Sequence, residues 1–147
     1  MKTYKFQLDE SYNVIIINAY LDECEIRLMV DTGASNTVID LTTLLINDYE
    51  FSQNSRKVNI ETAKGVVNAP IFEISSLQSL GILKENFEIV SYDFLGNGIL
   101  SEYDGVLGID FFQNNKICID FIKSELTTSF SPSPSTSNPI LRNKFIV

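Results

Sequence analysis

The sequence predicts an all-β fold with one or two short helices. Short segments rich in β-branched and aromatic residues dominate the first two thirds of the 147-residue chain, and clusters of Asp, Glu, Ser and Asn separate them. The stretch 57–77 contains two apolar runs joined by Ala63, Lys64 and Gly65, as at the tip of a hairpin. The length suits one domain and is too short for two lobes of ordinary size.

The first half of the chain predicts a β-meander followed by a short helix. Three segments have strand composition: "TYKFQL", "NVIIINAYL" and "CEIRLMV". A turn follows them, residues 37–40 are extended by composition, and Asp40 is placed as the N-cap of a helix of one or two turns in "DLTTLLIN".

The second half predicts further strands and a second helix. The segment "LKENFEIVSYDF" is a strand by composition and "LGNGILSEY" a loop. Residues 104–130 then predict a buried strand, a short helix and a terminal hairpin. The folded domain is therefore expected at 1–130, before a Pro/Ser-rich linker at 131–139 and an apolar tail at 140–147.

Composition and charge exclude several classes of function. The net charge of −8 disfavours binding to nucleic acid, because such binding needs a basic surface. The chain has no histidine, which excludes Ser-His and Cys-His catalysis and most zinc sites, so carboxylates are expected to carry any catalysis and no metal or cofactor is expected. Cys24 and Cys118 are expected to be buried thiols. The N-terminus has no apolar leader, which predicts a cytoplasmic protein with no membrane partner.

Asp31 is the candidate for chemistry. It lies in "LMVDTGASNTVI", after apolar residues and before Thr-Gly, with no other charge nearby. An aspartate in this setting is either a turn residue or a catalytic one. A second motif, "YDGVLGIDFF", follows roughly seventy residues later, beyond the predicted hairpin.

The two motifs together resemble those of retropepsin-like aspartic proteases, over about residues 10 to 130. The resemblance implies a partly closed acid-protease barrel, peptide or protein substrates, and Asp31 as the catalytic residue. Thr32, Gly33 and Ala34 would support the active-site loop. The flap would be residues 63–65, and the packing beneath the loop would come from Val106, Leu107 and Gly108.

The sequence contains one Asp-Thr-Gly and no repeat of it. In this family two aspartates together catalyse hydrolysis, so the resemblance implies a homodimer that supplies a second Asp31 across a twofold axis. Two departures are visible. The flap has Gly65 as its one glycine, and Ser35 and Ile109 occupy the positions of an aspartate–arginine pair found in retroviral members, which suggests a different local network through Asp110.

Two alternatives stay open. The chain is either an active endopeptidase or a catalytically inactive retropepsin-like module used for dimerisation or peptide binding. A more remote possibility is an unrelated small β-barrel binding protein. The intact Asp-Thr-Gly and the unbroken "VLG" at residues 106–108 favour the enzyme.

Overall fold

The computed structural model of the chain describes residues 1–9, 11, 13–51, 55–99 and 102–130. The predicted linker at 131–139 and the apolar tail at 140–147 lie outside the described residues. The described part forms strands β1 (Lys2–Lys5), β2 (Gln7–Asp9), β3 (Val14–Leu21), β4 (Cys24–Val30), β5 (Val38–Asp40), β6 (Lys57–Thr62), β7 (Gly65–Ser79), β8 (Ile82–Tyr92), β9 (Gly105–Leu107), β10 (Asn115–Asp120) and β11 (Glu125–Phe130), with helices α1 (Leu41–Ile46) and α2 (Ile109–Phe112) and a 3-10 turn at Leu95–Asn97.

Eight strands form one sheet in the order β2-β3-β4-β9-β5-β8-β7-β6. A further antiparallel pairing of β3 with β7, at Leu21 and Leu77, bends this sheet towards closure. The predicted all-β class with two short helices and a partly closed barrel is thereby confirmed. Within this sheet β9 lies parallel to β4 and antiparallel to β5, between the two strands that flank the Asp31 loop.

A second sheet has three strands in the order β1-β11-β10. The prediction of one strand for "TYKFQL" is wrong, because the segment divides at Phe6. β1 pairs with β11, whereas β2 pairs with β3. Phe6 is buried and its backbone N–H donates to the Ser124 carbonyl at 3.0 Å, which leads the chain from one sheet to the other.

Two apolar clusters lie on opposite faces of the eight-stranded sheet. Alternation along β3 shows the division, since Ile15 and Ile17 belong to one cluster and Ile16 to the other. A strand covered on both faces reads as a continuous apolar run rather than an alternating one. This accounts for the three consecutive isoleucines. The cluster that contains Ile16 also contains Met29 and Ala34, which flank Asp31 in sequence.

One local prediction is confirmed and another is wrong. Asp40 is the N-cap residue of α1, although its side chain makes no capping hydrogen bond. Its carboxylate instead accepts the Phe94 backbone N–H at 3.1 Å, which ties β5 to the segment after β8. Cys24 and Cys118 are exposed rather than buried, because Cys24 begins β4 beside a turn and Cys118 points outward from β10. Among the described helices none has the length and apolar character needed to cross a bilayer.

Candidate active site

Asp31 lies in the loop between β4 and β5, at the end of a buried strand. Its backbone N–H donates to the Leu107 carbonyl at 3.0 Å, which extends the β4–β9 pairing by one residue. Its own carbonyl accepts the Ala34 N–H at 3.1 Å and closes a tight turn. The position of Asp31 is therefore fixed by backbone bonds on both sides.

The Asp31 carboxylate is oriented by its own turn. Oδ1 accepts the Gly33 backbone N–H at 2.8 Å. A Cβ added at Gly33 would lie 3.1 Å from this Oδ1, so a side chain there would push the carboxylate away. Asp31 is half-buried while Thr32 and Gly33 are exposed. Among the described residues the Thr32 hydroxyl has no hydrogen-bond partner, so the turn presents a carboxylate and a free hydroxyl at the surface.

Residues 106–108 support this turn from below. Val106 and Leu107 are buried. Gly108 precedes α2, and its N–H donates to the Thr37 hydroxyl at 3.2 Å. A Cβ at Gly108 would lie 2.6 Å from the Asn36 carbonyl oxygen, so only glycine allows this approach of two backbone segments. The next residue, Ile109, donates its N–H to the Ala34 carbonyl at 2.9 Å.

A partly buried carboxylate, that of Asp110, joins the Asp31 loop to α2. Asp110 accepts the Thr37 N–H at 3.0 Å and the Thr37 hydroxyl at 2.8 Å, as well as the Phe111 N–H at 2.8 Å. Burial raises the pKa of the Asp110 carboxyl, although these donors and the charge of Lys84 act in the opposite direction. Ser35 and Ile109 cannot form an ion pair, and the Thr37–Asp110 bonds link this loop to α2.

The hairpin of β6 and β7 covers the apolar surface beside the Asp31 loop. Residues 63 and 64 form its tip, and Gly65 begins β7 with φ of 120°, a conformation that favours glycine. The apolar residues on one face of the hairpin pack against the cluster that includes Ala34 and Met29: Val58, Ile60, Val67 and Ala69. The predicted flap is thus the tip of a hairpin whose stem is attached to the same cluster as the Asp31 turn.

Comparison with known proteins identifies the family. A family model described as "Aspartyl protease" matches residues 17–111, which contain both the Asp31 turn and the "VLG" segment. The chain belongs to the aspartyl protease family. No curated protein sequence matches the chain.

The fold of this family member is retropepsin-like. It is similar to the crystal structure of a retropepsin-like aspartic protease from Rickettsia conorii, with a TM-score of 0.60 and 20% sequence identity. The similarity covers 87% of this chain and 92% of the Rickettsia chain, so it extends over nearly the whole of both proteins. At this identity the similarity concerns the fold.

Asp104 has a structural role that was not predicted from the sequence of this aspartyl protease family member. Asp104 accepts the Arg27 N–H at 2.9 Å and the Thr43 hydroxyl at 3.0 Å, and its backbone N–H donates to the Arg27 carbonyl at 2.7 Å. Asp104 therefore connects β4, α1 and the start of β9.

The structure thus brings the predicted loop residues 31–34 together with residues 106–108. The hairpin tip at 63–65 is attached to them through its stem. Thr37 was missed, and the available signal was a hydroxyl residue shortly after Asp31 with an aspartate after Gly108. Among the described residues no group of three or more carboxylates and cysteines is placed to hold a metal ion.

Proposed function

We propose that the chain is an aspartic endopeptidase that hydrolyses peptide bonds as a homodimer. The observation that carries this proposal is the Asp31 turn, in which the Gly33 N–H orients a carboxylate at the surface while Leu107 fixes the backbone from below. The turn is built for a carboxylate that faces outward. Membership of the aspartyl protease family supports the same reaction class.

The chemistry requires two carboxylates. Peptide hydrolysis by this route needs one group to take a proton from water and another to give a proton to the leaving nitrogen. Two adjacent carboxylates that share one proton can do both, because they cannot easily ionise together. The water oxygen then bonds to the peptide carbon, the C–N bond breaks, and the pair returns to its starting state with one proton.

Each chain has one Asp-Thr-Gly, so the second carboxylate is assigned to Asp31 of a second copy. The exposed Thr32 and Gly33 leave the turn accessible to such a copy. The free hydroxyl of Thr32 is suited to a hydrogen bond with the partner backbone. Ala34, buried against the apolar cluster, holds the base of the turn.

The hairpin tip at 63–65 is proposed as the flap that closes over an extended peptide and excludes water. We propose that the two aspartates are supported from below by Val106, Leu107 and Gly108. The division into a folded domain at 1–130, a linker and a tail stays a prediction, as does the cytoplasmic location.

The rival proposal is an inactive retropepsin-like module that binds peptides or dimerises. The two proposals differ in what Asp31 does. An exchange of Asp31 for asparagine keeps the shape and an oxygen for the Gly33 N–H, but asparagine cannot accept and return a proton. In the enzyme, Asp31→Asn should therefore fold and dimerise while hydrolysis falls by several powers of ten.

The experiment is a titration of Asp31→Asn chains into a fixed concentration of wild-type chains, with cleavage of a model peptide measured after subunit exchange. Activity should fall as inactive heterodimers form, because each dyad needs one carboxylate from each subunit. Asp9→Asn, at the last residue of β2, is the matched control, because Asp9 Oδ1 also accepts a backbone N–H two residues along the chain, that of Ser11 at 2.9 Å, and this exchange should leave activity unchanged. Flat activity despite proven heterodimers, or a pure Asp31→Asn protein that cleaves at the wild-type rate, would contradict the shared dyad.

A further inference from the structure

The tip of the β6–β7 hairpin makes a hydrogen bond to residues after β8 in the same chain, which form the opposite wall of a cavity. Lys64 Nζ donates to the backbone carbonyl of Asn97 at 2.9 Å. Lys64 lies in the turn between β6 and β7, and Asn97 ends the 3-10 turn that follows β8. The two residues are 33 positions apart in sequence, so the bond joins the hairpin tip to the segment after β8.

Both ends of this bond are fixed by other hydrogen bonds. At the tip, the Thr62 hydroxyl accepts the Lys64 N–H at 3.2 Å and donates to the Gly65 carbonyl at 2.9 Å. At the wall, the Asn97 side-chain amide donates to the Asp93 carbonyl at 2.7 Å. The lysine therefore connects two ordered turns.

Below the bond the two walls are separated by a cavity of about 340 Å³. Its sides include residues 67–70 of the hairpin on one side and residues 91–93 with Asn97 on the other. Packing between these walls is therefore incomplete along this edge. The stem of the hairpin is held by apolar contacts, and Lys64 supplies a polar contact at the tip.

We propose that Lys64 is a positioning residue that latches the hairpin shut on its own subunit and thereby sets how fast the cleft opens. The proposal rests on the assignment of the hairpin as the flap of a peptide-cleaving enzyme. The latch forms without a ligand, because the Lys64–Asn97 bond lies within the chain. Opening requires that this bond break, whereas closing restores it.

The Lys64–Asn97 bond is present while the hairpin is closed, both with and without a peptide, and is absent while the hairpin is open. It therefore raises the free-energy barrier to peptide entry and to peptide release. Its loss should accelerate peptide association and dissociation by a similar factor and leave the dissociation constant nearly unchanged. For one exposed hydrogen bond the expected factor is about threefold to tenfold. A merely structural role would change the affinity or the amount of folded protein instead.

The first measurement uses the ligand-free protein and is independent of activity. The Asn97 carbonyl ¹³C shift and the relaxation dispersion of the Gly65 and Gly98 amides are compared between wild type and Lys64→Met, which keeps most of the side-chain length without the donor. We expect a shifted Asn97 carbonyl resonance and faster conformational exchange at both the Gly65 and the Gly98 amides. Lys116→Met, an exposed lysine of β10, removes the same charge and should change neither.

The second measurement uses Asp31→Asn dimers and a labelled peptide that wild-type enzyme cleaves. Association and dissociation rates should both rise when Lys64→Met is added, with the dissociation constant changed less than about twofold on the same basis. Lys64→Arg, which retains a donor, should restore the slow rates.

An Asn97 resonance unaffected by Lys64→Met would overturn the latch, as would unchanged rates in the peptide experiment. A change in affinity with unaltered association would also overturn it. If wild-type protein cleaves no peptide, the proposed function fails and the resonance measurement alone decides on the latch.

Discussion

Asp110 joins the Asp31 loop to the start of α2 through its carboxylate. Asp110 is partly buried, and its carboxylate accepts hydrogen bonds from both the backbone N–H and the hydroxyl of Thr37. A carboxylate can accept three such donors, whereas a neutral amide can place its one oxygen toward only part of them. The sequence suggested a local network through Asp110 but did not identify its partner. Its contact with Thr37 depends on the fold, since 73 positions separate the two residues.

Asp110→Asn is expected to lower the free energy of unfolding by about 1–2 kcal/mol at pH 7, because the amide NH₂ faces an N–H donor. The deficit should grow as the pH falls from 7 towards 4. Burial raises the pKa of Asp110 in the folded protein, so the folded state binds a proton more readily than the unfolded state and wild type gains stability on acidification. Urea unfolding at several pH values measures this.

Asp120→Asn provides a control of opposite sign. Backbone N–H groups of Lys123 and Ile122 lower the pKa of the exposed Asp120 carboxyl. Its contribution to stability is present above the ordinary pKa and is lost as the pH falls below about 4. A deficit for Asp110→Asn that shrank on acidification, as expected for Asp120→Asn, would contradict the account of burial.

At the scale of elements, the contact between α2 and the Asp31 loop depends on Gly108. Gly108→Ala would place a Cβ 2.6 Å from backbone atoms of Asn36 and 2.8 Å from the Ala34 carbonyl oxygen. Neither segment can yield as a flexible side chain would. We expect a loss of about 3 kcal/mol in stability, at the upper end of the usual cost of overpacking, measured by thermal or denaturant unfolding.

Gly33→Ala is the matched substitution with the opposite balance of effects. Its Cβ would meet the movable Asp31 Oδ1 at 3.1 Å, so the cost in stability should stay below about 1 kcal/mol. Activity should fall strongly, because the carboxylate loses its orientation. Equal destabilisation by the two substitutions would show that the backbone at Gly108 is more adaptable than its contacts indicate.

The elements that could be predicted are those fixed by local sequence. The hairpin at Ala63–Gly65 follows from its turn residues, and the short helix after "VLG" lies where the sequence predicted it. The division of "TYKFQL" could not be predicted, because it depends on pairing with β11, which lies more than a hundred residues later in the chain. Asp40 could be predicted as the N-cap residue of α1, whereas the bond from the Phe94 N–H to its carboxylate depends on the fold.

The same distinction holds for the candidate site. Asp31, its turn and residues 106–108 were predicted because short motifs carry them. The Thr37–Asp110 bonds, the bridging role of Asp104 and the Lys64–Asn97 bond were not predicted. Each joins side chains to partners that only the folded sheet brings together.

At the scale of the whole molecule, dimerisation is expected to be obligatory for activity. The hydrodynamic mass should approach twice the 16.6 kDa of the chain, and specific activity should fall on dilution as dimers dissociate. Analytical ultracentrifugation beside a dilution series of peptide cleavage tests this. A strictly monomeric protein with full activity would contradict it.

Removal of residues 131–147 is expected to leave the folded domain intact. Pro132, Pro134 and Pro139 are poor candidates for a buried ladder, and β11 ends at Phe130. A chain cut after Phe130 should unfold within about 1 kcal/mol of the full chain. Loss of the dimer with retained fold would assign an interface role to the apolar tail at 140–147.

The pairing of β1 with β11 has a consequence for folding. Thr3 and Thr127 contact each other across 124 positions, so this pair has a high contact order and a large loop-closure cost. During synthesis β1 emerges before the other described strands and β11 emerges after them, which leaves the edge of β1 unpaired while the rest of the described strands assemble. Lys2 and Lys5 give the unpaired strand β1 positive charge, a feature that discourages edge-to-edge association.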